Sequence, residues 1–145
     1  MNNIVTEIFE IQALSDAPLQ IPLFGNSVSC GFPSPADDYL EGTLSLDEHL
    51  VKNPNSTFFV RAKGDSMQPL INDNDLLVVD RSLQARHDQV VLVVLNGEFT
   101  VKRLLKSQDK LILRAENRAY KDIHVSTQED FHVWGVVVHT IHSDL

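Results

Sequence analysis

Ser66 has the surroundings expected of a nucleophile. It lies in Gly64-Asp65-Ser66-Met67-Gln68-Pro69, between two strand-like stretches, so the sequence predicts a tight turn there. Pro69 leaves room for only one turn of helix after the serine. We expect the turn to expose the hydroxyl and to aim backbone N–H groups at one point, as an oxyanion hole requires. The simpler interpretation is a serine with no role beyond its turn.

Lys102 could supply the base for that serine. It lies in the apolar segment Glu98-Phe99-Thr100-Val101-Lys102-Arg103-Leu104, where burial would disfavour the ammonium form and lower the pKa of the amine. A neutral lysine amine can take the proton of a serine hydroxyl, which is the Ser-Lys form of nucleophilic activation. The alternative is a lysine at a strand edge that keeps its charge in water.

Other groups that could do chemistry lack partners at the required spacing. None of the six histidines lies in H-E-x-x-H, and His139 and His142 are only a weak pair three positions apart. The single cysteine, Cys30, cannot form a disulfide within the chain, and its Pro- and Gly-rich surroundings are a poor platform for a thiol nucleophile. The sequence contains neither G-x-S-x-G nor a phosphate-binding G-x-x-x-x-G-K-S/T. We predict no metal site and no cofactor.

The elements that must position Ser66 and Lys102 are mostly strands. Asn96-Gly97 between two β-branched runs is the strongest hairpin signal in the sequence. Ser45-Leu46-Asp47-Glu48 matches a capping box and predicts a short helix that ends near Val51. Without β-α-β alternation, the pattern predicts a mainly β, antiparallel domain, with six strands at 57–62, 75–79, 89–95, 99–104, 110–114 and 131–141.

The chain divides into an arm and a folded domain. Five prolines and glycines fall between Pro22 and Pro35, so we predict an extended N-terminal arm over residues 1–40, outside the core. Residues 41–145 form the predicted β-rich domain, and a chain of 145 residues is expected to hold one such domain. The alternative is a flexible N-terminal segment that has no functional role.

Charge and hydropathy exclude several classes of protein. The chain carries 20 acidic and 12 basic residues, a net charge of −8, so it is a poor candidate for direct binding to duplex DNA. Between Thr100 and Lys121 seven basic residues face two acidic ones, which predicts a solvated face with its counter-charges across the fold. The sequence shows neither a membrane-spanning run nor a signal peptide. We therefore expect a cytoplasmic protein.

The motifs together, in this order, resemble a known family. G-D-S-M at Gly64–Met67, D-x-D-L-L-V-V-D at Asp73–Asp80 and E-F-T-V-K-R-L at Glu98–Leu104 are similar to the self-cleaving serine peptidases of the LexA repressor type. Cys30-Gly31-Phe32-Pro33-Ser34-Pro35-Ala36 resembles the cleavage region of the UmuD-type SOS mutagenesis proteins, and Trp134-Gly135-Val136-Val137 also fits. The resemblance extends from about Leu23 to about His139.

The resemblance implies a site, a reaction and partners. Ser66 matches the nucleophile of the family, Lys102 its general base, and Cys30-Gly31 the bond that is cut. It implies a β-rich peptidase domain, a homodimer, and self-cleavage stimulated by the RecA–single-stranded DNA filament. It also implies partnership of the cleaved fragment with a UmuC-type catalytic subunit of a translesion polymerase.

The sequence departs from the UmuD-type pattern at two places. Gln68-Pro69-Leu70 replaces a stretch that usually contains glycine, and Asn74 replaces the glycine of D-G-D. Because asparagine tolerates the left-handed conformation next best after glycine, we expect the turn at Asn74 to survive.

Three other functions compete with the one that this resemblance implies. A peptidase that processes other proteins like a signal peptidase would need a membrane anchor. A transcription repressor needs a helix-turn-helix domain, and the roughly 30 residues before the Cys30–Gly31 bond are too few for one and contain no Lys or Arg. The third is a non-catalytic polymerase-accessory module with a decayed peptidase, which an intact Ser66 and Lys102 disfavour.

Overall fold

The computed structural model describes residues 7–10, 19–24, 30–31 and 40–144. These residues belong to two compact units. The larger unit contains residues 7–10 and 53–144, and the smaller contains 19–24, 30–31 and 40–52. No helix among the described residues is long and apolar enough to cross a membrane.

Strands dominate the described part of the chain. The two short helices are α1 (Leu46–Leu50) and a 3-10 turn at Pro54–Ser56. The strands are β1 (Glu7–Glu10), β2 (Ile21–Phe24), β3 (Leu40–Leu44), β4 (Thr57–Arg61), β5 (Leu76–Asp80), β6 (Val90–Leu95), β7 (Glu98–Lys106), β8 (Leu111–Arg114), β9 (Ile123–His124) and β10 (Phe131–Ile141).

The larger unit is built on one antiparallel sheet. Its eight strands lie in the order β1-β4-β5-β10-β6-β7-β8-β9, and every neighbouring pair is antiparallel. This confirms the predicted mainly β, antiparallel fold class. All six predicted strands are present, whereas β1, β2, β3 and β9 were not predicted.

The β6–β7 hairpin has the turn that the sequence predicts. Asn96 and Gly97 both have positive φ, 51° and 81°, as a two-residue type I′ turn requires. The ladder that follows pairs Val91 with Lys102 and Val93 with Thr100. This register places Lys102 in the middle of a strand that has neighbours on both sides, since β8 pairs with the other edge of β7.

Apolar side chains cover both faces of the central strands. In β6, Leu92 belongs to one buried cluster and Val91 and Val93 to a second. Because successive side chains of a strand point to opposite faces, the two clusters lie on opposite sides of β6. Burial on both sides explains why the sequence of β6 is an unbroken apolar run rather than an alternating one.

Gly135 lies where β10 passes very close to β5. A Cβ at this position would lie 2.6 Å from Cγ1 of Val79 and 3.4 Å from the carbonyl oxygen of Asp80. Val79 is fully buried and β-branched, so it cannot easily turn away. We expect Gly135→Ala to lower the free energy of unfolding by about 1–3 kcal/mol. Urea denaturation checks this, and a change below about 0.5 kcal/mol would contradict the close approach.

The smaller unit contains a two-stranded sheet and a helix. β2 pairs antiparallel with β3, from Ile21 opposite Leu44 to Phe24 opposite Leu40. The predicted helix is confirmed as α1, but the predicted capping box is wrong, because the Ser45 side chain makes no capping hydrogen bond. The main-chain carbonyl of Ser45 instead accepts from the His49 N–H at 2.9 Å.

The boundaries of the two units differ from the predicted division at residue 40. Residues 7–10, predicted as part of the arm, form β1 and pair with β4. Residues 41–52, predicted as part of the β-rich domain, belong to the smaller unit. Residues 1–6, 11–18, 25–29 and 32–39, which include most of the Pro- and Gly-rich stretch, lie outside the described residues. The functional division, a cleavable arm and a peptidase domain, stays a prediction.

Candidate active site

Ser66 lies at the start of a single helical turn in the loop between β4 and β5. The loop closes at its base through two bonds, from Ala62 N to Asp75 O and from Asn74 N to Ala62 O, both 2.9 Å. Asn74 adopts φ 71°, which confirms that the turn expected at this position forms with asparagine in the left-handed conformation. The Ile71 N–H donates to the Met67 carbonyl at 2.9 Å, so one turn of helix follows the serine, as predicted.

The loop is anchored on the core by its apolar residues. Met67 and Ile71 are 0% and 2% exposed and belong to the same buried cluster as Leu77 and Leu92. Ser66 itself is 0% exposed. The prediction of an exposed hydroxyl is therefore wrong: the turn was placed correctly, but packing from other parts of the chain covers it.

Lys102 comes to the serine from β7. Its side chain is 1% exposed, which rules out the alternative of a strand-edge lysine with its charge in water. Because of its position in the ladder, it extends from the same face as Thr100 and Leu104. Its Nζ lies 3.1 Å from Oγ of Ser66, so the structure brings together the two residues that the sequence singled out.

Three oxygens surround the Lys102 amine. Nζ donates to Oγ1 of Thr100 and to the carbonyl oxygen of Val101, both at 3.1 Å, in addition to its contact with Ser66. Burial lowers the pKa of Lys102 from 10.5 to about 8. At pH 7.5 about a quarter of the molecules then hold a neutral amine, against about 0.1% for an unperturbed lysine.

This arrangement suits proton abstraction from the serine. A neutral amine has two N–H groups and one lone pair. If Thr100 and Val101 accept the two N–H bonds, the lone pair faces Ser66, and the hydroxyl donates to it. Loss of the proton to Nζ leaves an alkoxide, which can attack a carbonyl carbon. The charged amine, with three N–H groups and no acceptor, cannot do this.

Several residues of the site were missed by sequence reasoning. Thr100 is two positions before Lys102 on a strand, and this spacing alone could have placed it beside the amine. The loop after β8 also contacts the serine segment: Asn117 N–H donates to the Ser66 carbonyl at 2.9 Å, and the hydroxyl of Tyr120 contacts the carboxylate of Asp65. Nothing in the local sequence indicated these contacts.

The other residues that the sequence singled out are Cys30, Gly31 and two histidines. Cys30 and Gly31 belong to the smaller unit, and both are exposed. His142 places Nδ1 against the carboxylate of Asp75, which also accepts from Oγ1 of Thr140 at 3.1 Å. In the described residues no group of three or more His, Cys, Asp or Glu side chains could hold a metal ion.

Two arginines of the basic stretch between Thr100 and Lys121 are paired with carboxylates. Arg103 donates to Glu116 at 2.6 Å, and Arg114 forms a two-pronged contact with Asp122 at 2.7 and 3.0 Å. The hydrogen bond to Asp122 raises the pKa of Arg114 above its ordinary value. The counter-charges therefore come from nearby residues of the same segment as well as from across the fold.

Thr100→Val tests how much the amine depends on its neighbour. Valine keeps the volume of threonine but removes the oxygen that accepts from Nζ, so the lone pair is no longer held toward Ser66. If Ser66 is a nucleophile, we expect the rate of its reaction to fall about tenfold, equivalent to about 1.4 kcal/mol. Thr57→Val, at a buried threonine whose hydroxyl bonds to Asn53 O, is the matched control. Equal rates for both variants would contradict an orienting role for Thr100.

Comparison with known proteins identifies the family of this chain and several similar proteins. Residues 22–138 match the family model described as Peptidase S24-like. Protein MucA of Salmonella typhimurium is 39% identical over 137 residues, which cover 93% of this chain and 92% of that protein. Protein ImpA of Salmonella typhimurium is 41% identical over 123 residues, 83% of each chain. The LexA repressor of Actinobacillus succinogenes is 35% identical over 92% of this chain and 64% of its own length.

Proposed function

Because this chain belongs to the Peptidase S24-like family, the LexA-type self-cleaving serine peptidases, we propose that Ser66 and Lys102 are its nucleophile and general base. The observation that carries the proposal is the 3.1 Å contact between two fully buried polar side chains, Nζ of Lys102 and Oγ of Ser66. Burying an amine costs free energy that hydrogen bonds only partly offset, so a buried amine next to a serine hydroxyl is a candidate for a functional group. The lowered pKa of Lys102 suits a base that works near neutral pH.

The substrate that we propose is the chain itself, or its dimer partner, at the Cys30–Gly31 bond. Both residues are exposed, and Gly31 has no Cβ to hinder approach of the backbone to the serine. The similarity to the cleavage region of UmuD-type proteins supports this bond. The fragment that begins at Gly31 would be the active product, and the reaction turns over once per chain.

The reaction proceeds in two steps, which are acylation of Ser66 and hydrolysis of the resulting ester. Oγ of Ser66 attacks the carbonyl carbon of Cys30 while Nζ of Lys102 takes the hydroxyl proton, and backbone N–H groups near Ser66 stabilise the oxyanion. When the C–N bond breaks, Lys102 returns the proton to the new amino group of Gly31. Water then attacks the ester, Lys102 takes its proton and returns it to Oγ, and the Cys30 carboxylate is released.

The similarity to UmuD-type relatives supports a proposed set of partners. We propose a cytoplasmic homodimer in which β10, the long strand near the C-terminus, contributes to the interface. A RecA–single-stranded DNA filament would stimulate cleavage by favouring the docked state of the arm. The fragment would then act in the SOS response as the accessory subunit of a UmuC-type error-prone polymerase, without cofactor, metal or sequence-specific DNA binding.

Intact-mass spectrometry of the purified full chain tests the reaction. We expect incubation at pH 9, or at pH 7.5 with RecA, single-stranded DNA and a nucleotide, to yield two fragments that meet between Cys30 and Gly31. A non-catalytic accessory module would stay full length under both conditions.

Two substitutions on either side of the Cys30–Gly31 bond test whether this is the bond that is cut. Gly31→Val should slow cleavage sharply because a β-branched side chain crowds the approach to the serine, whereas Cys30→Ala should be tolerated. Cleavage of Gly31→Val at the normal rate, with failure of Cys30→Ala, would mean that the bond is wrongly assigned.

A further inference from the structure

Ser66 and Lys102 come from strands that are not neighbours. The serine loop follows β4 and the lysine lies on β7, and the sheet order places β5, β10 and β6 between them. The ladder of the sheet therefore does not by itself fix the distance between the two side chains. Contacts outside the ladder must hold the serine loop over β7.

Besides the packing of Met67 and Ile71 on the core, polar contacts come from the loop after β8, the strand that pairs with β7 on its other edge. Asn117 donates its main-chain N–H to the carbonyl of Ser66 at 2.9 Å and its Nδ2 to the carbonyl of Asp65 at 3.1 Å. The hydroxyl of Tyr120 contacts the carboxylate of Asp65. We name these three residues, Asp65, Asn117 and Tyr120, the loop clamp.

Asn117 is itself held in one orientation. Its Oδ1 accepts from the N–H of Ala119 at 3.0 Å, and its carbonyl accepts from the N–H of Tyr120 at 3.1 Å. The first bond forms the Asx turn that asparagine typically makes. With Oδ1 engaged there, the amide presents Nδ2 to the carbonyl of Asp65.

The bonds fix the peptide groups on both sides of the serine. In a trans peptide the N–H points away from the C=O of the same unit. Asn117 holds the carbonyls of Asp65 and Ser66, so it also sets the directions of the N–H groups of Ser66 and Met67. Backbone N–H groups next to a nucleophile are the donors from which an oxyanion hole is built.

We propose that Asn117 is a positioning residue for self-cleavage, which orients the Ser66 and Met67 N–H groups as oxyanion donors and holds the serine at its distance from Lys102. This inference rests on the proposed function and adds a residue to its site. It predicts a loss of rate at every pH, because the geometry of the donors does not depend on the protonation of Lys102.

Tyr120 supports the same loop across the pH range of the reaction. Its hydrogen bond to Asp65 raises the pKa of the phenol above its ordinary value. The hydroxyl therefore stays protonated and able to donate in the alkaline range in which Lys102 becomes fully neutral.

The experiment is a rate-versus-pH series from pH 7 to 9.5 on the full chain. It compares the wild type with Asn117→Ala, Tyr120→Phe, Ser66→Ala and the control Asn55→Ala, which changes an exposed asparagine outside the clamp. Circular dichroism at the assay temperature establishes that each variant is folded. Asn117→Ala retains the main-chain bond to Ser66 and loses only the side-chain bonds.

We expect Asn117→Ala to lower the plateau rate about 10- to 100-fold and to leave the midpoint of the pH profile where the wild type has it. A residue that serves only the fold would lower the melting temperature and leave the rate of the folded molecules unchanged. A folded Asn117→Ala within threefold of the wild type, or one with a shifted midpoint and an unchanged plateau, overturns the inference.

Two further results distinguish failure of the loop clamp from failure of the proposed function. If Asn117→Ala does not fold, Tyr120→Phe decides: a fivefold or larger loss at an unchanged midpoint supports the clamp, and a wild-type rate overturns it. If the wild type does not cleave, or Ser66→Ala cleaves normally, the proposed function itself fails. A wild type that cleaves, with an inert Ser66→Ala and a fully active Asn117→Ala, rejects only the role of Asn117.

Discussion

Ser66→Ala is expected to abolish self-cleavage, with a loss on the order of 10⁴-fold or more, and to leave the fold intact. Alanine has no hydroxyl that could attack the bond, so the reaction loses its proposed nucleophile. The hydroxyl is buried, but the hydrogen bond that it loses with Lys102 is worth only about 1 kcal/mol. Gel electrophoresis of the full chain after incubation at pH 9 measures the rate, and thermal unfolding measures the fold.

Ser82→Ala is the matched control for that experiment. It also removes a hydrogen-bonded serine hydroxyl, one that donates to Asp80 at 2.7 Å, but outside the site. Cleavage by Ser66→Ala at the rate of Ser82→Ala would mean that another group attacks the bond.

Lys102→Met is expected to stop cleavage and to change how stability depends on pH. Burial holds the pKa of Lys102 at about 8 in the folded chain, against 10.5 for the free side chain. Between these two values the unfolded chain binds the proton and the folded chain does not, so stability of the wild type falls as pH decreases from 10.5 to 8. The loss amounts to about 3 kcal/mol, and it stays constant below pH 8.

Urea denaturation at pH 7 and at pH 10.5 measures this effect. We take the unfolding free energy of Lys102→Met minus that of the wild type at each pH. This difference should be about 3 kcal/mol larger at pH 7 than at pH 10.5. Hydrogen bonds that methionine cannot make to Thr100 and Val101 shift both measurements equally, so they cancel. Lys63→Met, at an exposed lysine, should show no such difference. An equal result for both variants would show that the pKa of Lys102 in the folded chain is close to that of the free side chain.

Local sequence patterns singled out Ser66 and Lys102, which the structure brings into contact, but not the residues around them. Glycine and proline mark the turn at Ser66, and apolar neighbours mark the burial of Lys102, so both signals lie within a few residues of the group concerned. The contact between Asn117 and Asp65 spans 52 positions. The sequence around Ser66 does not show that Asn117 contacts it, and the sequence around Asn117 does not show the reverse. The loop clamp and the burial of the serine were therefore not predictable from either segment alone.

The strands, too, were predicted only where their sequence pattern is local. Long β-branched runs such as β6 and the Asn96-Gly97 hairpin were predicted because their pattern is local. β9 has two residues, and β1 and β3 owe their pairing to partners elsewhere in the chain. The capping box at Ser45 matched a motif, yet its hydrogen bond is absent because the motif specifies residue types and not the rotamer of the serine.

The dependence of the self-cleavage rate on pH tests the Ser66–Lys102 pair most directly. Measured without RecA on the wild type and on Lys102→Met, the wild-type rate should rise from pH 6, reach half its maximum near pH 8 and then stay level, because burial sets the pKa of Lys102 at about 8. Lys102→Met should stay near zero throughout. A wild-type rate that is highest near pH 6 would contradict the account, because it would identify a carboxylate or a histidine as the base.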